Sequence, residues 1–578
     1  MSSGGPDASV PACAPLVEEA LPASPIAWQG APRCSVDGVC NVYPAPTAQP
    51  PTRIRALASG STWAVSGDAI YSWNGTDGKI HNLDVDTDLL AIAPITDSDV
   101  WAVGYNSLVA HWNGSAWTVD KLSLGSALSG VSALATNDVW AVGNFGVVGH
   151  WTGASWSTVS LPGSPSLQDV WAVSANDVWA TEFNGGLWHY DGTWTKVTSA
   201  GTGRFDAVWS PGANDVWALG DKDLYRGSAS NVAPFTVPGA SSFGFDAVWG
   251  SSASDVWLGD STSTYHFANG AWSKTAGGAR WFTGRNGSDV LALGETHVRR
   301  YDGAAWSDVF QIGFPSLNGM WRGPNGDIWF AGAKGTILRA RNGELRRMTS
   351  AIADLAKINL RAVWGSSDDD IWFGGTGTSF LHVKGGNACF VKHAANDVSV
   401  LSGTAADDIW ALSQGKGMHW DGTTWTMSTL VDATSLLAFS KTDAWATGGS
   451  KVQRWNGSTW SPVTTPLTID SFFTRFGVIG AAAANDMWIP VGQFGGDELL
   501  HWDGNAFTKS AAPGVNFDAV SVLGANDVWM LDWDVHHFDG VSWKQLTKFP
   551  RRSVSAAIAT DKELWIATTD GGVLRLTR

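Results

Sequence analysis

A tryptophan that follows an acidic or polar pair and opens a short strand of small residues returns along this chain at Trp63, Trp101, Trp140, Trp179, Trp217, Trp257, Trp329, Trp372, Trp410, Trp445, Trp488, Trp529 and Trp565. Leu291 fills the one slot between Trp257 and Trp329. The spacing averages about 39 residues, and self-similarity at a fixed period of this size marks a repeat architecture, not a string of unrelated domains.

One unit can be read from Leu128 to Leu161. Gly130 to Leu134 is a short apolar segment, Thr136-Asn137-Asp138 is a turn cluster, and Val139 to Gly143 is a second strand. A third strand runs from Val147 to Trp151, and a fourth begins at Trp156 after a Thr-Gly turn. In most other copies an Asn-Gly or Asp-Gly pair separates the last two strands, as at Asn113-Gly114, Asp302-Gly303 and Asp503-Gly504, and these residues tolerate the positive φ of a tight hairpin. Such a small antiparallel sheet cannot bury both faces alone, so it must stack on copies of itself. The expected fold is therefore an all-β propeller of about fourteen four-stranded blades. Closed rings usually stop well short of fourteen blades, which favours two seven-bladed rings over one large fourteen-bladed ring. The corresponding domain reading is a flexible tether over 1–24, a segment with a closing strand over 25–52, and propellers over 53–318 and 319–578.

Composition limits the partners. The net charge is −16, and 37 Lys and Arg residues are spread thinly, which excludes a basic nucleic-acid-binding face. No run approaches the roughly 18 apolar residues of a membrane span. The first residues, Met1 to Ser9, are small and polar, of the kind that follows the lipid-bearing cysteine of an exported lipoprotein. Cys34 and Cys40 bracket a turn-like segment suited to a small disulfide loop, and three of the four cysteines crowd into the N-terminal segment. These features point to an oxidising compartment, a monomer, and contact with a membrane only through a lipid anchor.

The runs Asn137-Asp138-Val139-Trp140-Ala141-Val142-Gly143 and His111-Trp112-Asn113-Gly114-Ser115-Ala116-Trp117 resemble the repeats of secreted or lipid-anchored bacterial β-propeller proteins of myxobacterial type. More distantly they resemble neuraminidase-type and photosystem II assembly factor-like repeats. Gly326-Asp327-Ile328-Trp329 onward is similar to propeller repeats of two-component sensor ectodomains. The resemblance covers about residues 53 to 578. It implies an extracytoplasmic binding or scaffold role and brings no catalytic residues with it.

Each chemically tempting class follows the repeat. Asp99, Asp138, Asp177, Asp215, Asp255, Asp289, Asp327, Asp370, Asp408, Asp443, Asp486 and Asp527 recur two residues before the motif position, where they are expected to accept backbone N–H bonds in the turn. A catalytic pair should break the repeat, not follow it. His111, His150, His189, His266, His382, His419, His501 and His537 share a third-strand slot and read as structural; His81, His297, His393 and His536 lie outside it. The fourth-strand set Trp117, Trp156, Trp194, Trp272, Trp306, Trp425, Trp460 and Trp543 offers indole faces for packing or for stacking on sugar rings. Asp84 to Asp88 begins like a calcium loop but has Leu89 and Ile95 where glycine and glutamate are required. Neither metal nor cofactor is expected. The leading function is thus a non-enzymatic binding or scaffold propeller for protein or glycan ligands at the cell envelope. The alternative is a glycosidase or polysaccharide lyase whose acids lie in deviant spans such as His393–Asp397 and Thr468–Arg475.

Overall fold

The computed structural model describes residues 13–21, 26–29, 34, 38–43, 51–83, 85, 87–122, 125–200, 203–212, 215–220, 223–240, 244–312, 314–393, 395–467, 474–492, 497–514, 516–532, 534–546 and 554–578. Among the described residues the elements are strands and short 3-10 turns, with no α-helix. The strands order into fourteen antiparallel blades, of which the last has three consecutive strands and takes its fourth from the N-terminal segment. Blade 1 is built from β4 (Arg53–Ala56), β5 (Thr62–Ser66), β6 (Ala69–Trp73) and β7 (Asp77–Asn82).

The chain divides into two compact units. The N-terminal propeller comprises Ser24–Arg33 and Gln49–Gly313 and holds blades 1–7; the C-terminal propeller comprises Met1–Ala23, Cys34–Ala48 and Phe314–Arg578 and holds blades 8–14. The boundary expected between residues 318 and 319 thus lies at Gly313/Phe314. In each unit the first strands of successive blades pack on one another, and between blades 11 and 12 the Ile479 N–H donates to Ser435 Oγ, so these strands ring the axis. The rings close where β4 meets Trp281–Asn286 of blade 7, and where Leu317–Arg322 of blade 8 meets Val554–Ala559 of blade 14. At the first closure the Trp281 Nε1–H donates to the Ile54 carbonyl (2.9 Å), and the Ala56 N–H donates to Thr283 Oγ1 (2.9 Å).

The N-terminal segment supplies three extra strands, β1 (Ala14–Ala20), β2 (Ala27–Gln29) and β3 (Val39–Tyr43). β3 pairs antiparallel with Val573–Thr577 and becomes the fourth strand that blade 14 lacks. Cys34 and Cys40 form a disulfide beside it. The earlier part of the segment expected over 25–52 goes elsewhere: β2 pairs parallel with β7 at the outer edge of blade 1. The tether expected over 1–24 needs correction. Residues 1–12 and 22–25 lie outside the described residues, but β1 is inserted between the outer strands of blades 8 and 9 and joins them into one nine-stranded sheet. A disulfide from Cys13 to Cys389 pins it there.

Candidate functional site

The repeated acids do not serve the role expected of them. Among the described hydrogen bonds their carboxylates take no backbone N–H; they accept instead from the third strand of their own blade. Asp138 Oδ1 lies 2.8 Å from His150 Nε2, and the same pair recurs as Asp99–His111, Asp177–His189, Asp255–His266, Asp370–His382, Asp408–His419, Asp486–His501 and Asp527–His537. In four further blades arginine replaces histidine, as Asp215–Arg226, Asp289–Arg300, Asp327–Arg339 and Asp443–Arg454. The cross-strand register explains the pairing, because it sets the histidine or arginine opposite the motif position: His150 opposite Trp140, Arg226 opposite Trp217. The imidazole then stacks on the indole, 3.8 Å between centroids for Trp140 and His150, and the guanidinium of Arg226 lies 4.3 Å over Trp217. The acid orients the ring that covers the tryptophan, a packing device repeated around each propeller.

The fourth-strand tryptophans complete that device. Trp156 meets Trp101 of the preceding blade edge-on at 5.6 Å, and Trp194–Trp140, Trp306–Trp257, Trp425–Trp372 and Trp460–Trp410 repeat the contact. These rings form the seam between blades and are half-buried.

The deviant spans do not assemble into an acid pair among the described residues. His393 packs on Phe380 at 4.5 Å, while Asp397 accepts the Gly377 N–H and pairs with Arg361. Ala394 and residues 468–473 lie outside the described residues, as do residues 84 and 86 of the calcium-like run. Asp532, Asp534 and His536 place their ligand atoms within 4.8 Å of one another. The same turn exists in blade 6, however, where Asp260 accepts the Thr262 N–H and the Tyr265 hydroxyl, just as Asp532 accepts the Asp534 N–H and faces His536. The cluster follows a turn that two blades share, which is the mark of a structural element.

Blade 1 breaks the repeat. Ser61 stands where other blades carry the acid, and Ser72 stands opposite Trp63 in the histidine slot. The space is filled from the neighbouring strand by His81 of β7, whose ring stacks on Trp63 at 4.9 Å. Its Nδ1 accepts from the Trp117 indole N–H (3.2 Å), so the proton sits on Nε2 and is donated to Ser72 Oγ at 3.0 Å. Burial, with the Lys79 charge adding to it, lowers the His81 pKa to about 4, and the ring is neutral at physiological pH. Beside it opens a cleft of about 390 Å³, bounded by Trp63, Trp73, Trp112 and the exposed polar residues Gln29, Asn74, Asp77 and Lys79. The ammonium of Lys79 stands 5.2 Å over Trp112. Asp97, also on the cleft, accepts from Trp63 Nε1 (3.2 Å) and Ser59 Oγ (2.7 Å). The volume suits a small ligand or one to two sugar rings. Sequence reasoning missed this site because Trp63, Trp73 and Trp112 occupy ordinary repeat slots and read as packing, while Lys79, His81 and Asp97 lie outside the slots it followed; the missing acid at Ser61 was the available signal.

No protein-family model and no curated protein sequence matches the chain. Solved structures do. An ancestral GH74 enzyme aligns with a TM-score of 0.67 at 13% identity, covering 92% of this chain and 97% of its own. PorZ, a surface component of the type-IX secretion system of Porphyromonas gingivalis, aligns with a TM-score of 0.50 at 13% identity, over 90% of this chain and 78% of its own. The extracellular domain of a one-component system from B. thetaiotaomicron covers 93% of this chain and 82% of its own, at 10% identity and a TM-score of 0.36. At such identities the likeness is one of fold: this chain is a multi-blade β-propeller.

Proposed function

We propose that this propeller is an extracytoplasmic, non-enzymatic binding protein whose ligand is a carbohydrate held in the blade 1 cleft. The observation that supports the reading is the local failure of the Asp–His device in that blade, which trades a packed seam for an open cleft joining tryptophan edges to an amide, a carboxylate and an ammonium. Sugars present apolar ring faces and hydroxyl edges together, and this mixture of surfaces matches both. The two disulfides fit an oxidising compartment outside the cytoplasm. A glycosidase would need two free carboxylates, and of the pair lining the cleft Asp97 is already engaged by Trp63 and Ser59. The test is a glycan and polysaccharide binding screen on the full chain, repeated with Asp77→Asn and Lys79→Ala. Both side chains are exposed, so the fold should survive while binding falls at least tenfold. Retained binding in both variants would remove the cleft from consideration, and release of reducing sugar from a bound glycan would replace the reading with the enzymatic one.

A further inference from the structure

The exposed apolar side chains of this molecule are not evenly scattered. Among the described residues eight large ones are exposed, and four of them, Tyr105, Val119, Phe145 and Val159, stand on blades 2 and 3. Phe145 is the more exposed of the two rings, at 65%, and its backbone holds φ at 60°. A bulky side chain rarely adopts that left-handed conformation, so a strained turn here leaves an aromatic ring in water. Val159, 52% exposed, lies at the same corner: Ser160 pairs with Val147, and the Leu161 N–H donates to the Gly146 carbonyl at 2.8 Å.

The outer strand of blade 3, Trp156–Ser160, leads into this corner and ends its sheet, with no strand on its outer edge among the described residues. An edge of this kind offers a row of backbone N–H and C=O groups to another strand, and folded chains blunt it with charges, prolines or a covering segment. Most blades of this molecule are blunted. A charged residue stands on the outer strands of blades 2, 4, 6, 7, 12 and 13, as Lys196 and Lys274 do, and a proline on those of blades 5 and 11 (Pro234 and Pro462). β2 covers blade 1, β1 covers blades 8 and 9, and Cys34 bridges to Cys40 on β3 at the edge of blade 14. Blade 10 has an uncharged outer strand of only three residues, Trp425–Met427. The five residues Trp156-Ser157-Thr158-Val159-Ser160 carry neither charge nor proline.

We propose that this strand is a self-association edge, on which a second copy of the chain pairs antiparallel about a two-fold axis at Thr158. That register sets Thr158 opposite its own counterpart, Ser157 opposite Val159 and Trp156 opposite Ser160, and the symmetry makes each unlike pair twice. No like charges meet in it, whereas the same operation on the outer strand of blade 4 or blade 6 would gather the lysines of both copies at one seam. β1 gives the precedent inside the molecule, since blades 8 and 9 accept it on their outer strands by main-chain pairing. The antiparallel direction also brings the Phe145 corner of one copy to the Trp156 end of the other, so the exposed ring gains a covering surface. The monomer expected from the sequence is then the dilute form. This edge shares no residue with the carbohydrate cleft and does not rest on that reading.

The test is sedimentation velocity on the full chain over a concentration series. The mass should pass from one chain to two with a midpoint on the order of 10 μM or above, because a short edge contact buries little surface. Thr158→Lys and Thr158→Asp should each stay monomeric, since the axis sets the new charge against itself, while an equal mixture of the two should pair again. Phe145→Gly should weaken the pair several-fold without loss of thermal stability, as glycine accepts the left-handed backbone freely. Hydrogen exchange on the wild-type chain gives a reading that needs no variant: amides within Trp156–Ser160 should gain protection as concentration rises. Dimers of undiminished strength in Thr158→Lys, or a mixture that pairs no better than its parts, would overturn the two-fold register. A wild-type chain that is monomeric at every concentration would overturn the self-pairing and leave the edge to a strand of another protein.

Discussion

The histidine–acid pairs show how one residue type can read as chemistry in a sequence and as packing in a fold. A carboxylate beside an imidazole is the usual beginning of a catalytic relay, yet here the imidazole lies flat on a tryptophan. Asp138→Ala should therefore destabilise the N-terminal propeller by about 1–3 kcal/mol, because His150 loses its partner while remaining half-buried on Trp140. Chemical denaturation checks this, and unchanged stability would return the acid to a functional role. His81 makes the complementary case. Its folded-state pKa of about 4 lies below the ordinary 6.5, so the unfolded chain binds the proton more readily. The stability this neutral ring contributes is fully present above pH 6.5 and is lost as pH falls from 6.5 through 4, up to about 3 kcal/mol. Protonating Nδ1 also breaks the bond from Trp117. His81→Gln should flatten that part of the stability profile, and an unchanged acid slope would show that other groups carry it.

At the scale of elements, the N-terminal segment does the work that no repeat slot announces. Blade 14 ends after three strands, and an unpaired edge there would invite association. β3 covers it with the register Val39 to Leu576 and Cys40 to Arg575. That closure was legible in the sequence because a four-strand period with a missing last strand demands a partner from the other end. The role of β1 was not, since Ala14-Pro15-Leu16-Val17 has neither tryptophan nor turn signal and gains its strand conformation only from the two outer strands that flank it. The stacking of Arg53 and Arg55 on Trp281 was hidden for a related reason: β4 follows the proline-rich stretch before the first motif, and only ring closure brings it to Trp281. Removing residues 1–24 should accordingly lower the stability of the C-terminal propeller, and Cys13→Ser alone should cost about 2–4 kcal/mol. Removing residues 1–48 deletes β3 as well and should cost more. Equal melting of wild type and the shorter truncation would show that β1 adds nothing to the fold.

For the whole molecule, the blades were legible from their period, whereas the division into two units was not written in any linker; it follows from where the first strands meet to close each ring. Each hydrophobic cluster stays within one unit. The cluster at the first closure joins Ile54, Tyr71 and Trp73 to Trp281 and Phe310, and the cluster at the second joins Leu317, Phe330 and Leu338 to Trp565 and Val573. Cores gathered separately in this way favour each ring unfolding as its own cooperative unit. Calorimetry of the full chain should therefore resolve two transitions with separate levers. Acidification from pH 7 to pH 5 should lower the transition of the N-terminal propeller through His81, and His81→Gln should blunt that shift without moving the other. Cys13→Ser should lower only the transition of the C-terminal propeller, because Cys13 and Cys389 both belong to that unit. A single transition that moves with every one of these changes would mean that the two rings unfold as one, and that the confinement of the clusters does not govern cooperativity.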